Sequence, residues 1–480
     1  MQDYWQNHID GHWVDGGAGR IAIADPATGE RLADQALADA ADVDRAVKAA
    51  ARVHQSGALS DMRPIARGRM VQAIGRYLLD HKNEIAQTLT LEQGKPLWES
   101  HIEVEGSALY FEYYGNQAST MEGRSIPLGA GYFDWTEYEP YGVSAQIIPW
   151  NYPLEMAARS LSAALATGNA SVIKSPELTP LTIAWLAHAA QAVGLPPGAV
   201  NIVCGLGADA GAALSAHPEV RQIVFTGSVP TGIAIATAAA QNVVPCVLEL
   251  GGKSAAIVHD DADLDAFETD VHWGIYFNAG QVCSAMSRVI VHESRKAELI
   301  DRAEKVARSL SVGPGIERDA AGPNMGAMVS DGQRDRAVQL AANAQQQGAQ
   351  LVAGGHALNR PGSFMQPTVL ADVRPDMEIA RTEVFGPVLS ILSFQDDEEA
   401  IEIANGTDYG LVAGVYTADL DRATRAARRL RAGQVFVNEW YAGGVETPFG
   451  GYGRSGYGRE KGREALWNYV QTKNIAIKRK

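Results

Sequence analysis

Between residues 142 and 251, short apolar runs rich in β-branched residues alternate with segments of helical length, and no other feature of the chain constrains its fold as strongly. The runs lie at 142–148, 170–174, 199–203, 222–225 and 243–248, and the helical segments between them begin near Pro153, Pro180, Asp209 and Val229. Strands apolar on both faces and separated by helices predict a parallel sheet covered on both sides. After Gly252 a second α/β region follows, with runs at 255–258, 287–291, 349–352 and 388–394.

The flanking segments read differently. Gly11-His12-Trp13-Val14-Asp15-Gly16-Gly17 and Asp25-Pro26-Ala27-Thr28-Gly29-Glu30 predict short strands joined by turns. From about Ala40 to Glu122 apolar residues recur at helical spacing. Tyr132-Phe133-Asp134-Trp135-Thr136-Glu137-Tyr138 alternates with period two, which suits a strand ribbon that must pack on something else, a partner subunit being one candidate. Near the end comes a glycine-rich stretch, 449–458, and then a strand expected at 474–477.

With 480 residues the chain is long enough for two or three structural units. Its net charge of −15 argues against nucleic acid or anionic lipid as a partner. No apolar stretch is long enough to span a bilayer, and Met1 is followed by polar residues, so neither a membrane anchor nor a secretory leader is expected. Three widely spaced cysteines, Cys204, Cys246 and Cys283, form neither a disulfide framework nor a metal cluster, which predicts a reducing, cytoplasmic setting, no bound metal and any special thiol acting singly.

Five sites could carry chemistry. Cys283 stands among small and polar neighbours, Asn278-Ala279-Gly280-Gln281-Val282-Cys283-Ser284, and reads either as a core thiol or as an accessible nucleophile. Glu249 emerges from an apolar strand beside Gly251 and Gly252; it reads as a strand-end carboxylate paired with Lys253 or water, or as a base whose proton affinity burial has raised. Asn151, in Pro149-Trp150-Asn151-Tyr152-Pro153, either caps the following helix or donates its amide to a developing oxyanion. Lys174-Ser175-Pro176-Glu177 and Phe225-Thr226-Gly227-Ser228 end strands at the carboxyl edge where open α/β sheets bind ligands, and the second opens a helix whose amides suit a phosphate; turn and cap chemistry explain both equally well. Gly205-Leu206-Gly207 lacks the full spacing of a dinucleotide fingerprint.

Taken in order, residues 149–153, 174–180, 225–228, 249–254, 280–283, Glu383-Val384-Phe385-Gly386-Pro387 and Pro448-Phe449-Gly450-Gly451 make the chain resemble the aldehyde dehydrogenase superfamily over essentially its whole length. The resemblance implies an α/β fold with a Rossmann-like cofactor-binding domain (1–122 and 141–251), an α/β catalytic domain (252–446), and a β-ribbon oligomerisation element with the C-terminal segment (123–140 and 447–480). It implies Cys283 as nucleophile, Asn151 with the Cys283 backbone N–H as oxyanion donors, and Glu249 as activator of the water that releases the acid. It further implies a dinucleotide site drawn from Ile147, Pro149, Trp150, Lys174, Glu177, Gly207, Phe225, Gly227, Ser228, Leu250, Gly251, Glu383 and Phe385. Glu177 would accept ribose hydroxyls and repel a 2′-phosphate, which favours NAD⁺ while leaving NADP⁺ possible through Lys174.

For the aldehyde, Tyr152, Met156 and Arg159 share a helical face and resemble substrate-tunnel positions, with Trp440, Tyr441 and Gly443 expected at an aromatic, open mouth. Arg159 reads either as a contact to a distal carboxylate or hydroxyl, or as the partner of Glu155 in an i,i+4 pair. A homodimer or homotetramer is expected. Transfer of the acyl group to coenzyme A, a non-catalytic NAD-binding scaffold, and a cysteine–histidine hydrolase are the rival readings.

Overall fold

Two sheets stand where the two alternating regions predict them. In the first, five strands run parallel in the order Cys246–Leu250, Gln222–Gly227, Val143–Ile147, Ala170–Ser175, Val200–Cys204. Antiparallel strands close both edges: Gly456–Tyr457 beside Cys246–Leu250, and Asn7–Ile9 with His12–Val14 beside Val200–Cys204. The chain order reverses between Val143–Ile147 and Gln222–Gly227, so a crevice opens beyond their carboxyl ends, the usual ligand position in such sheets. The computed structural model describes residues 2–316 and 324–479.

The second sheet has seven strands, Gln350–Ala353, Thr368–Ala371, Val388–Phe394, Arg288–His292, Ala255–Val258, Val412–Tyr416 and Gln434–Val437 in spatial order, parallel except for the first. Thr368–Ala371, Val412–Tyr416 and Gln434–Val437 extend it beyond the strands expected from sequence. Each sheet has its own apolar core, one centred on Val172, Ile173 and Ile223, the other on Ile257, Ile290 and Ile391, all fully buried. Four helices, Ala40–Gln55, Pro64–Asp80, Lys82–Gln93 and Leu97–Gln117, fill the region expected to be helical.

Two boundaries move for identifiable reasons. The strand expected at 243–248 runs instead from Cys246 to Leu250, because its pairing partners lie in Ile223–Gly227; Val243 is left out, exposed and left-handed at φ 56°. The helix expected near Pro180 begins at Ala184, since the buried Glu92 carboxylate takes the amides of Leu181 (2.7 Å) and Thr182 (2.9 Å). A long ribbon pairs Tyr132–Pro140 with Val470–Lys478, from Val470 opposite Pro140 to Lys478 opposite Tyr132.

Candidate active site

Asn151 follows the first parallel strand and precedes the helix Pro153–Ala166, yet it does not cap that helix. The orphan amides of Leu154 (3.1 Å) and Glu155 (3.3 Å) go to Glu103 Oε1, a fully buried carboxylate from the neighbouring helix, which displaces the capping alternative. Glu103 is in turn held by the buried Lys95, whose Nζ also donates to the Asn151 carbonyl at 3.0 Å and lies 3.8 Å from the centre of the Tyr152 ring. The Asn151 side chain is therefore free of structural duty on the helix. Its Nδ2 donates one hydrogen to the Gln281 carbonyl at 2.9 Å, and a primary amide carries a second.

Cys283 sits at the end of a strained strap. Asn278, Ala279 and Gly280 have successive positive φ values of 48°, 51° and 70°, a conformation that costs a non-glycine residue roughly 1–2 kcal/mol. The surroundings hold it: Asn278 N–H donates to Glu99 (2.8 Å), Asn278 Nδ2 to the Asn151 carbonyl (3.0 Å), and Gln281 Oε1 accepts from Val329 N–H (2.9 Å). At Gly280 a Cβ would run into the Gly386 carbonyl, so glycine is required there twice over. Cys283 emerges half-buried, its thiol pushed up to about 12 by desolvation and by the nearby Glu383 carboxylate, with Arg159 opposing. It is a protonated thiol when nothing is bound.

Glu249 lies inside its strand, paired with Thr226 on one side and Gly456 on the other, and is only 2% exposed. Among the described residues neither of its oxygens has a hydrogen-bond partner, and Lys253 Nζ is likewise buried and unpartnered, so the two do not pair. Burial drives the Glu249 proton affinity well above the ordinary carboxylate range, Arg159 partly countering it. A methyl group on Gly450 would stand 2.9 Å from Glu249 Oε1; the glycine leaves that flank open.

One cavity of about 680 Å³ brings these groups together, with Asn151, Glu249 and Cys283 all on its wall. Among the dinucleotide candidates, Pro149, Trp150, Gly227, Ser228, Leu250, Gly251, Glu383 and Phe385 line it. Ile147 and Phe225 face each other in register and are buried behind it. Lys174, Glu177 and Gly207 cluster apart from its wall: Lys174 Nζ is 2.7 Å from Glu177 Oε2, and Gly207 N–H donates to Glu177 Oε1 at 3.2 Å. These residues fit a dinucleotide on their own chemistry. Ser228, on the cavity wall, caps the helix Val229–Ala240 by accepting from Thr231 N–H, Glu177 offers carboxylate oxygens to ribose hydroxyls, and Glu383, whose proton affinity burial pushes up to about 7, accepts from Gly252 N–H at 2.9 Å.

A profile of the aldehyde dehydrogenase family matches residues 13–475. The chain belongs to the aldehyde dehydrogenase family. The mitochondrial aldehyde dehydrogenase of Equus caballus is 39% identical over 479 residues, covering 99% of this chain and 95% of that protein. The Arabidopsis thaliana aldehyde dehydrogenase family 2 member B4, also mitochondrial, is 42% identical over 470 residues, covering 97% and 87%. An NAD⁺ complex of the Bacillus cereus aldehyde dehydrogenase superposes with a TM-score of 0.97 at 37% identity, covering 99% of this chain and 97% of that one. The reaction of this aldehyde dehydrogenase is the NAD(P)⁺-dependent oxidation of an aldehyde to its carboxylic acid.

On the aldehyde side the structure corrects two expectations. Trp440 does not line the cavity: its indole is 3% exposed, packed edge-on against Phe436 and donating to the Ser284 carbonyl at 3.3 Å, so it supports the loop carrying Cys283 from behind. Arg159 does not pair with Glu155. It reaches Glu460 at 2.5 Å, a buried carboxylate also bound by Ser160 and Tyr469, because burial rewards a partner that other donors already orient. Tyr152, Met156, Arg159, Tyr441 and Gly443 do line the cavity, joined by Phe449 from the Pro448-Phe449-Gly450-Gly451 motif and by Tyr110, Phe277 and Lys461, which the sequence motifs do not single out. Only Phe449 carried a signal, in its glycine-rich run.

Proposed function

We propose that Cys283 is the nucleophile of this dehydrogenase, that Asn151 and the Cys283 backbone N–H hold the oxyanion, and that Glu249 activates the water that frees the acid. The observation that carries this reading is the convergence of Asn151, Glu249 and Cys283 on one cavity although they come from three separate elements. The thiol must give up a proton before it attacks the carbonyl carbon, and its protonated resting form makes that ionisation dependent on what enters the cavity. The second Asn151 amide hydrogen then meets the oxygen that gains charge. Ser228, Glu177 and Glu383 would hold NAD⁺, which would supply the hydride acceptor, and the Glu177 carboxylate would favour it over NADP⁺. After oxidation, Glu249 draws a proton from water as it attacks the thioester, a role for which an unpartnered carboxylate of raised proton affinity is suited.

The same reading takes 1–122 and 141–251 as the cofactor domain, 252–446 as the catalytic domain and the ribbon as an oligomerisation element in a cytoplasmic homo-oligomer. Support for the last comes from Tyr132, Phe133 and Ile477, large apolar side chains that the ribbon leaves exposed. An aldehyde panel followed by the absorbance of reduced nicotinamide, with NAD⁺ and NADP⁺ in parallel, tests the reading in the parent and in Cys283→Ala. The variant is expected to lose about a thousandfold or more in kcat; oxidation at the parental rate would remove the nucleophile from Cys283. Adding coenzyme A should leave the free acid as product, whereas acyl-coenzyme A would favour the transferase alternative.

A further inference from the structure

Three cations line the cavity, and two are already occupied. Arg159 is held by Glu460, and Arg336 donates to the carbonyls of Val384 and Glu383, both at 3.0 Å. Lys461 is different. Among the described residues its ammonium has no hydrogen-bond acceptor and no carboxylate within 4 Å; its nearest ring is Phe449, 5.9 Å away, which also lies 5.7 Å from Arg159.

The backbone presents this lysine deliberately. Glu460 pairs in both directions with Phe449 (2.7 Å each), while Gly462 donates to Val445 (2.8 Å) and accepts from the buried Tyr114 hydroxyl (3.1 Å). Between these pinned neighbours Lys461 is forced to φ 61°, where glycine or asparagine would be at ease. Local backbone preference therefore does not explain a lysine here, and no structural ion pair does. The nearby wall includes the aromatic and apolar Tyr110, Phe277, Met156 and Phe449, and the charges that act on the ammonium are Glu155 and Glu446, which favour its protonated form, and Arg159, which disfavours it.

We propose that Lys461, rather than Arg159, determines which aldehyde this enzyme accepts, its ammonium binding a carboxylate carried on the substrate away from the aldehyde carbon. The proposal rests on the reading of this cavity as the aldehyde site. Glu155 also lines the wall without a hydrogen-bonded partner for its carboxyl, but desolvation, reinforced by Glu103, raises its proton affinity and so weakens its opposition to an anion. Burial lowers the proton affinity of Lys461, with Glu155 opposing, and an entering carboxylate would restore it.

The discriminating quantity is the ratio of kcat/KM for 4-carboxybenzaldehyde to that for 4-methylbenzaldehyde, two rings of similar size. In Lys461→Met this ratio should fall about tenfold to a hundredfold, chiefly through KM, as expected for loss of a charged hydrogen bond. Lys461→Glu should push it lower still, and Glu155→Gln should raise it. Calorimetric titration with terephthalate reads the same contact without turnover, and the parent should bind it at least tenfold more tightly than Lys461→Met. An unchanged ratio with unchanged terephthalate affinity, or equal loss for both aldehydes, overturns the role of Lys461. A parent that binds terephthalate through Lys461 yet oxidises neither aldehyde would instead refute the reading of the catalytic site.

Discussion

A buried carboxylate with no hydrogen-bond partner is costly, and among the described residues Glu249 is in that state on a strand between Thr226 and Gly456. Its ionisation is the step most sensitive to pH. Because the folded protein raises its proton affinity above the usual carboxylate range, the base form appears only as pH rises through that higher value, and the acid limb of kcat should lie above the ordinary carboxylate range. Replacing Glu249 with Gln should slow acid release by about 10²- to 10⁴-fold and abolish that limb, leaving a stoichiometric burst of reduced nicotinamide before the slow steady state. Rapid-mixing kinetics from pH 5 to 9 would check it; a variant with a parental steady state, or one lacking the burst, assigns the water-activating role elsewhere. Sequence alone brings Glu249 and Cys283 into consideration through their glycine neighbours, but whether each is partnered depends on groups far along the chain. Glu460 and Lys461 escape it for the same reason: a charged pair after a glycine-rich run has no local signature, and its meaning arises only when Arg159, some 300 positions away, folds against it.

At the scale of elements, the alternation of apolar runs and helical segments specifies both sheets, because period and length are properties of a short window. What it does not specify is where one element borrows from another. The helix Pro153–Ala166 starts without a cap of its own and takes Glu103 from Leu97–Gln117, while Lys95 neutralises Glu103 and grips Asn151. Glu99, pushed up to about 8 by burial, anchors Asn278 from the same helix. One helix thus braces both Asn151 and the strap that leads to Cys283, while its Ile102 and Tyr110 line the cavity. Glu103→Gln would leave the Lys95 ammonium buried without its counter-ion, a change expected to destabilise the protein by about 3 kcal/mol. The positioning role adds a second consequence: kcat should drop up to about a hundredfold with KM little altered, since the reacting groups rather than the binding surface shift. Denaturant titration together with steady-state kinetics would separate these, and a loss of stability with kcat intact would make the helix a scaffold only.

For the whole molecule, the proposed association of subunits turns on the ribbon. Tyr132–Pro140 and Val470–Lys478 form a two-stranded sheet, and such a sheet gains little independent stability in water. Yet it opposes Phe133 to Ile477, 53% and 47% exposed, on one face, where the Arg479 guanidinium lies 4.9 Å from the centre of the Phe133 ring. Tyr138 packs edge-on against Trp467, which ties the base of the ribbon to the segment carrying Glu460 and Lys461. Covering that face would therefore stabilise the ribbon and, through 459–469, steady the wall of the cavity. Phe133→Asp combined with Ile477→Asp introduces two like charges directly opposite each other, which disfavours both the pairing of the strand tips and any apolar contact made by that face. Light scattering coupled to size exclusion should then report a smaller species than the parent at equal concentration. If subunit association steadies the cavity, KM for the aldehyde should rise in the same variant while each isolated sheet keeps its far-ultraviolet signal. A parental mass for the double variant would mean that another surface joins the subunits, and a reduced mass with unaltered kinetics would show that each protomer's cavity is complete without its neighbour.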